Sequence, residues 1–151
     1  TGRAHIAHAM VNKGYVASVD EAFKKYLSKG MSCYVPRKTY SPKESIEMIK
    51  NAGGLAILAH PVYITEDYGK LYSLLKQLKE YGLDGTECLY NCYSEEFSKM
   101  CFDICDKLGL VKSGGSDFHG GNKPDVELGK VSGGYVPYEF LLNMKEQRGL
   151  M

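Results

Sequence analysis

The sequence predicts an α/β fold built from parallel strands, because three short strand-like segments alternate with helix-like segments and the links between them are short. Strands are expected at 55–59, at Gly85–Tyr90 and at 110–113. Apolar residues recur at helical spacing over 68–81 and 94–108, between these strands. This order of elements is typical of parallel βα units rather than of an antiparallel sheet.

The segment 1–40 is predicted to be helical, and the segment 41–151 is predicted to carry the βα units of the same single domain. Ile6 and Met10 share one face of the first predicted helix, and Ser18 is placed as the N-cap of the second. No linker is long enough to mark a second domain.

Further signals divide the rest of the chain. Pro42 stands at the first position of a predicted helix. The apolar run 55–59 ends in His60 and resembles a strand that is buried on both faces. The glycine-rich segment 120–134 is expected to be a loop, and a last helix is expected at 137–147.

The charge of the chain excludes a general attraction to polyanions. Nineteen Lys and Arg against eighteen Asp and Glu leave a formal net charge of +1, so nucleic acid would have to be held locally. The longest apolar run is far shorter than the roughly 20 residues of a membrane helix, and no signal-like segment is recognised. We therefore expect a cytoplasmic protein that does not insert into a membrane.

The five cysteines are expected to be reduced thiols, because an odd number without a C-x-x-C pair argues against a disulfide framework. The spacing of Cys88 from Cys92, and of Cys101 from Cys105, would also be compatible with a zinc site. We favour a packing role, because Cys88 falls in a predicted strand and the other pair falls on the apolar stripe of a predicted helix.

Two histidines stand at the ends of predicted strands. His60 follows the first strand, and Asp117 and His119 follow the third. Because the ends of parallel strands meet at one edge of a sheet, the three side chains are candidates for a shared site. Imidazole and carboxylate together suit Zn, Mn or Fe. Taken alone, the residues also allow a hydrogen-bonded Asp-x-His pair and a separate His-Pro turn.

Several sequence blocks resemble the signature blocks of the polymerase and histidinol phosphatase (PHP) family of phosphoesterases, in the same order and at similar spacing. They are GGLAILAHP at 53–61, GLDGTE at 82–87, GGSDFHG at 114–120 and LG at 128–129. Upstream, GRAHIA at 2–7 and YVPR at 34–37 resemble the subgroup that acts on small nucleotides or RNA ends. The resemblance covers nearly the whole chain.

The resemblance implies a distorted (β/α)7 TIM-like barrel with two or three divalent metals at the strand ends. It implies hydrolysis of phosphate esters, with small nucleotides or short RNA as substrates and His60, Asp117 and His119 as metal ligands and catalytic groups. Arg3 and His5 match positions that contact the substrate phosphate, and a guanidinium suits phosphate oxygens.

Some residues are weaker candidates. Arg37 and Lys123 are weaker candidates than Arg3 for contact with the substrate phosphate. His8 has no counterpart in the family and is not expected to bind zinc. Glu87 is either a carboxylate that orients a ligand histidine or an ordinary residue at a strand end.

The family opens with a His-x-His, then a further Asp, His and Glu, and this sequence contains no such segment. We therefore expect the chain to be the carboxyl-terminal portion of a PHP domain that holds part of a metal site. Alone, it is expected to be inactive and to self-associate. A degenerate, non-catalytic binding or regulatory module and an amidohydrolase-like enzyme for C–N bonds are the alternatives.

Overall fold

The structure, a computed structural model, describes residues 2–36 and 39–150. The chain divides into two compact units, Thr1–Thr39 and Tyr40–Met151. Within the described residues, no helix is long and apolar enough to cross a membrane.

The first unit is helical. Helix α1 covers Arg3–Asn12, and helix α2 covers Val19–Ala22 and continues as a π-helical turn, Phe23–Leu27. As predicted, the Ser18 hydroxyl caps α2 by accepting the backbone N–H of Glu21 at 3.1 Å. The small core consists of four buried residues: Ala7, Val16, Ala22 and Leu27.

The predicted apolar face of α1 is only partly buried, since Met10 packs against this core and Ile6 does not. Ile6 is 44% exposed, whereas its neighbour Ala7 is fully buried. The contact face of α1 is therefore shifted by one residue, because the small side chain of Ala7 allows close packing against the following helical turn.

Among the described residues, the second unit contains four further α-helices and the sheet. Helix α3 is Pro42–Asn51, α4 is Tyr68–Glu80, α5 is Glu95–Leu108 and α6 is Tyr138–Gln147. Ser41, Asp67 and Ser94 cap the first three of these helices by accepting a backbone N–H.

The main sheet has three strands in the order β1-β2-β3, and both pairings are parallel, as predicted. Strand β1 is Ile57–Leu58, β2 is Gly85–Tyr90 and β3 is Val111–Gly115. The expectation that β1 is buried on both faces is wrong, because both of its residues are only half-buried. Within the described residues β1 pairs with β2 alone, which leaves it at an edge of the sheet.

The core of this unit lies between the sheet and the helices α4 and α5. Leu71, Leu75 and Ile104 are fully buried there. Cys88 on β2 and Cys105 on α5 are also fully buried, with 3.5 Å between their Sγ atoms. The packing role predicted for these cysteines agrees with their position.

A buried polar network lies at the amino-terminal end of the sheet. The Asp84 carboxylate accepts from Lys50 Nζ at 2.6 Å, from the backbone N–H of Ala56 at 2.7 Å and from Gln147 Nε2 at 3.2 Å. This network ties the helix before β1 and the last helix to the start of β2.

The segment that was expected to be a loop carries some regular structure. Gly120–Asn122 form a 3-10 turn, and Lys130–Val131 (β4) pair with Gly134–Tyr135 (β5) as a two-stranded antiparallel ribbon. Gly133 lies in the turn between the two strands with φ of 87°, a conformation that favours glycine. A tight glycine turn therefore closes a ribbon where the composition indicated only a loop.

Candidate functional site

The carboxyl-terminal ends of the three parallel strands bring polar side chains to one edge of the sheet. His60 lies two residues beyond β1, Glu87 lies within β2, and Asp117 lies two residues beyond β3. Among the described residues other than glycine, only His60 and Asp117 have a positive φ, at 51° and 55°. Such strained conformations cluster at functional sites in proteins.

The backbone of His60 is fixed by a neighbouring strand. Its N–H donates to Glu87 Oε2 at 2.8 Å. Its ring atom Nδ1 lies 3.3 Å from the same oxygen, is buried and has no hydrogen bond within the described residues. The rest of the ring is more open, since 35% of the side chain is exposed. His60 therefore has one nitrogen facing a carboxylate and a ring that is partly open to solvent.

Asp117 collects donors from three directions. Its Oδ2 accepts from the Tyr90 hydroxyl at 3.0 Å and from Lys123 Nζ. Its Oδ1 lies 3.4 Å from His119 Nδ1, which is also 2.7 Å from the Asp117 carbonyl oxygen. The hydrogen bond from Lys123, followed by that from Tyr90, holds the pKa of the Asp117 carboxyl below its usual range. The structure thus brings Asp117 and His119 together and adds Lys123, a weaker candidate from the sequence.

Tyr90 connects the two strand ends. Its ring packs edge-on against His60, with 4.8 Å between the ring centroids, while its hydroxyl reaches Asp117. Burial, and then the hydrogen bond to Asp117, raise the pKa of Tyr90 above its usual range. Tyr90 is not among the site residues predicted from the sequence. The signal for it was its place at the last position of β2, between the two strand ends that carry histidines.

Glu87 is a buried carboxyl group, only 7% exposed. Its Oε2 also accepts from the Tyr93 hydroxyl at 3.3 Å. Burial raises the pKa of Glu87, and the hydrogen bond from the backbone of His60 opposes that shift. Tyr93 was likewise not identified from the sequence, because it lies in the turn after β2 rather than at a strand end.

The donor set agrees in chemistry with a divalent cation. Imidazole and carboxylate are ligands for Zn, Mn and Fe, and the His60 side chain is partly open to solvent, with 35% of it exposed. Across residues 2–36 and 39–150, however, no group of three or more His, Cys, Asp or Glu side chains could together hold a metal ion. The side chains of His60, Asp117 and His119 therefore fit part of a metal site rather than a complete one.

The other sequence candidates lie in the first unit. Arg3 Nη1 donates to the Leu27 carbonyl at 3.3 Å, and its guanidinium lies 5.4 Å from the Tyr34 ring centroid. His5 Nδ1 accepts the backbone N–H of Gly2 at 3.1 Å and so caps the start of α1. Arg37 lies outside the described residues. Arg3 and His5 thus have structural partners within their own unit.

Comparison with known proteins identifies relatives over most of the chain. It is 34% identical over 117 residues to a 5′-3′ exoribonuclease of Haemophilus influenzae, and the match covers 78% of this chain and 43% of that protein. It is 30% identical over 128 residues to a 3′,5′-nucleoside bisphosphate phosphatase of Chromobacterium violaceum, which covers 84% and 45%. The chain therefore spans less than half the length of these curated relatives. No family model matches the sequence.

Two solved structures share the fold over 97% of this chain. A protein assigned as a metal-dependent phosphoesterase from Bifidobacterium adolescentis is 27% identical with a TM-score of 0.68, and the match covers 50% of it. A protein described as an amidohydrolase from Chromobacterium violaceum, solved with bound sulfate and without metal, is 28% identical with a TM-score of 0.63, and the match covers 51% of it. These matches agree with the observed α/β fold with its parallel sheet.

Proposed function

These relatives indicate that the chain belongs to the PHP family of phosphoesterases, and from that premise we propose that the complete protein hydrolyses phosphate esters with divalent metal ions. The observation that carries the proposal is the contact of Asp117 with His119 beyond β3 and their link through Tyr90 to His60 beyond the end of β1. In a parallel sheet this edge is where active sites are built. The chain would then be part of a distorted (β/α)7 barrel.

His60, Asp117 and His119 would hold metal in this proposal. When bound, the metal ions, two or three of Mn, Zn or Fe, supply an activated water for attack on phosphorus and neutralise charge on the phosphoryl oxygens. The chain's own residues orient the donors: Tyr90 holds the Asp117 carboxylate by its hydroxyl, and the Glu87 carboxylate holds the backbone of His60. Lys123 keeps an ammonium group at Asp117 and adds positive charge near a phosphate.

The proposed substrates are small nucleotides or RNA ends. Two relatives are named for activity on RNA and on nucleoside bisphosphates, and one similar structure was solved with sulfate, an anion shaped like phosphate. Arg3 and His5 are proposed to contact the substrate phosphate, since a guanidinium binds phosphate oxygens in a bidentate manner.

Kinetics of an Arg3 variant test that role. Arg3→Ala in the complete protein should raise KM or lower kcat by about tenfold or more while the bound metal stays unchanged. Arg3→Lys keeps the charge and should lose less. Lys29→Ala, on an exposed residue of the same unit, is the matched control. Loss of metal together with activity would show that Arg3 is structural through its bond to Leu27.

A substrate panel tests the function itself. The complete protein, loaded with Mn or Zn, should be compared on a nucleoside 3′,5′-bisphosphate, a short 5′-phosphorylated RNA, an aryl phosphate and a cyclic amide. We expect turnover of the phosphorylated substrates that is abolished in Asp117→Asn. Turnover of the cyclic amide alone would overturn the proposal.

Two observations favour other functions, and the same panel separates them. One similar structure is described as an amidohydrolase, and C–N hydrolysis also uses His and Asp at strand ends. The lack of a complete metal cluster in the described residues would agree with a degenerate binding or regulatory module. Binding of a nucleotide without any turnover would favour the second of these.

A further inference from the structure

Glu87 differs from an ordinary carboxylate at a strand end in the partners that it has. Two atoms of His60 lie close to Glu87 Oε2: the backbone N–H donates to it at 2.8 Å, and Nδ1 lies 3.3 Å away. Within the part of the chain that the structure describes, no lysine or arginine forms an ion pair with Glu87. A buried carboxylate without a cation is costly unless hydrogen-bond donors surround it.

The backbone contact explains the conformation of His60. A residue with a side chain in the left-handed region is strained, and His60 has φ of 51°. The hydrogen bond from its N–H to Glu87 fixes the peptide at this turn, between the end of β1 and the 3-10 turn Pro61–Tyr63. Glu87 thereby sets the direction in which the imidazole leaves the chain.

The ring contact assigns a role to each nitrogen of His60. Nδ1 is buried and lies close to a carboxylate oxygen, with no other hydrogen-bond partner among the described residues. A small rotation of the ring would let an Nδ1–H donate to that oxygen. The proton on Nδ1 leaves the lone pair on Nε2, the nitrogen at the other side of the ring.

We infer that Glu87 is a positioning residue: its carboxylate holds the backbone N–H and the Nδ1–H of His60, so that Nε2 is the nitrogen offered to a metal ion. A carboxylate behind a ligand histidine fixes its tautomer and orientation in metal sites. The inference rests on the proposed function for the identity of the bound ion, but the tautomer of His60 does not depend on it.

Tyr93 supports this arrangement from behind. Its hydroxyl donates to the same Oε2 at 3.3 Å, and its ring packs between Tyr90 and Phe97, with centroid distances of 5.3 Å and 4.8 Å. The carboxylate is therefore held on a packed aromatic cluster rather than on a flexible loop.

Nitrogen chemical shifts of the histidines in the metal-free 151-residue chain test the inference. With only four histidines in the sequence, a His60→Asn variant identifies the His60 signals by their loss. At about pH 8, where an unperturbed histidine is neutral, we expect Nδ1 of His60 to be protonated and Nε2 to be unprotonated. A dominant Nε2–H form in the unmodified chain would overturn the inference without any variant of Glu87.

Three variants then test the cause. Glu87→Met keeps the size of the side chain and removes both acceptor oxygens, so the preference of His60 for a proton on Nδ1 should be lost. The affinity of the complete protein for Mn or Zn, measured by calorimetry, should fall about 10- to 100-fold. Glu87→Gln keeps one acceptor and should restore part of both. Asp84→Asn removes another buried carboxylate that does not touch His60, and should leave the tautomer and the affinity unchanged.

The outcomes separate this inference from the proposed function. If His60→Asn and Asp117→Asn weaken metal binding but Glu87→Met does not, Glu87 is not a positioning residue and the metal site stands. If Glu87→Met changes the tautomer but none of these variants changes metal affinity, the placement of His60 stands and the metal function is wrong. If Glu87→Met changes neither quantity, the inference is overturned.

Discussion

Asp84, just before β2, and Glu87, within β2, are two buried carboxylates, and each is 7% exposed. Asp84 has a lysine and two N–H donors, which pair its charge and satisfy both of its oxygens. Glu87 has two donors on a single oxygen and its nearest ionisable partner is a histidine. The two carboxylates are thus equally buried, but the charge of Asp84 is paired with a lysine and that of Glu87 is not.

The difference separates the end of the sheet that has a structural role from the end that carries the proposed site. At the amino-terminal end, Asp84 joins three segments with no strained backbone nearby. At the carboxyl-terminal end, His60 and Asp117 lie in strained conformations, and the Glu87 carboxylate faces an imidazole rather than a lysine or arginine. Incomplete pairing with local strain marks the end where a ligand would supply missing interactions.

The largest effect is expected when the 151-residue chain is used alone. A catalytic metal ion needs about three protein ligands and an open position, and the described residues offer only His60, Asp117 and His119 at the strand ends, without a complete cluster. We expect no measurable turnover of an aryl phosphate by this chain loaded with Mn or Zn, and self-association through the unpaired edge of β1. Light scattering and bound-metal analysis complete the measurement. Turnover within about tenfold of the complete protein would contradict the partial-site argument.

In the complete protein, Asp117→Asn and His119→Ala should each reduce the bound metal and lower kcat by about a hundredfold or more, because each removes a proposed ligand. Metal analysis and phosphatase kinetics measure both effects. The circular dichroism spectrum should not change, since both side chains lie beyond the end of β3 and outside the core.

Asp103→Asn is the control for these variants, because Asp103 pairs with Lys107 on the surface of α5. It should leave the metal content and kcat unchanged. Full activity with an unchanged metal stoichiometry in Asp117→Asn or His119→Ala would remove that residue from the site.

The helices and strands were predictable from the sequence wherever the spacing of apolar residues matches the observed packing. The strand Gly85–Tyr90 was predicted with the observed bounds. The helix Glu95–Leu108 was predicted closely, because a clear amphipathic stripe lies between the Ser94 cap and Gly109. The burial of β1 was not predictable, since its apolar run does not show whether the strand will lie inside the sheet or at its edge. The shift from Ile6 to Ala7 in α1 depends likewise on packing between helices.

The candidate site was predictable as a set of residue types and not as a set of contacts. His60, Asp117 and His119 were found because strand ends can be read from the sequence. Tyr90 and Tyr93 were missed, because a tyrosine in or after an apolar strand gives no signal of the acceptor that its hydroxyl will reach. The choice between the two roles of Glu87 needed a distance to His60 across two strands, which no spacing in the sequence contains.

A moderate effect is expected at the structural end of the sheet. Asp84→Asn removes the charge opposite Lys50 and weakens the link to Ala56, so the free energy of unfolding should fall by about 2 kcal/mol. Lys50 is partly exposed, which keeps the loss below that of a fully buried pair. Chemical denaturation measures the change.

The control for Asp84 is Asp106→Asn, which breaks the pair of an exposed carboxylate with Lys112 and should cost less than about 0.5 kcal/mol. Equal losses of stability in the two variants would show that the network around Asp84 has no special role. The contrast between the two carboxylates would then rest on Glu87 alone.

The smallest effect concerns the pKa of Asp117 in the metal-free chain. Lys123 is the main cause that lowers this pKa below its ordinary value of 3.8, and the Tyr90 hydroxyl is a lesser one. Lys123→Met should therefore raise the pKa of Asp117 more than Tyr90→Phe does, as followed by the carboxyl carbon shift during titration. Lys130→Met, in the same glycine-rich segment but paired with Glu127, should leave the pKa of Asp117 unchanged.

Because the folded-state pKa of Asp117 is lowered, the stabilisation from these partners is present above the ordinary pKa and is lost as the pH falls through the folded-state value. Each variant should narrow the pH range between the folded-state pKa and the ordinary pKa of Asp117. A larger rise in the pKa of Asp117 in Tyr90→Phe than in Lys123→Met would show that the tyrosine, rather than the lysine, controls this carboxylate.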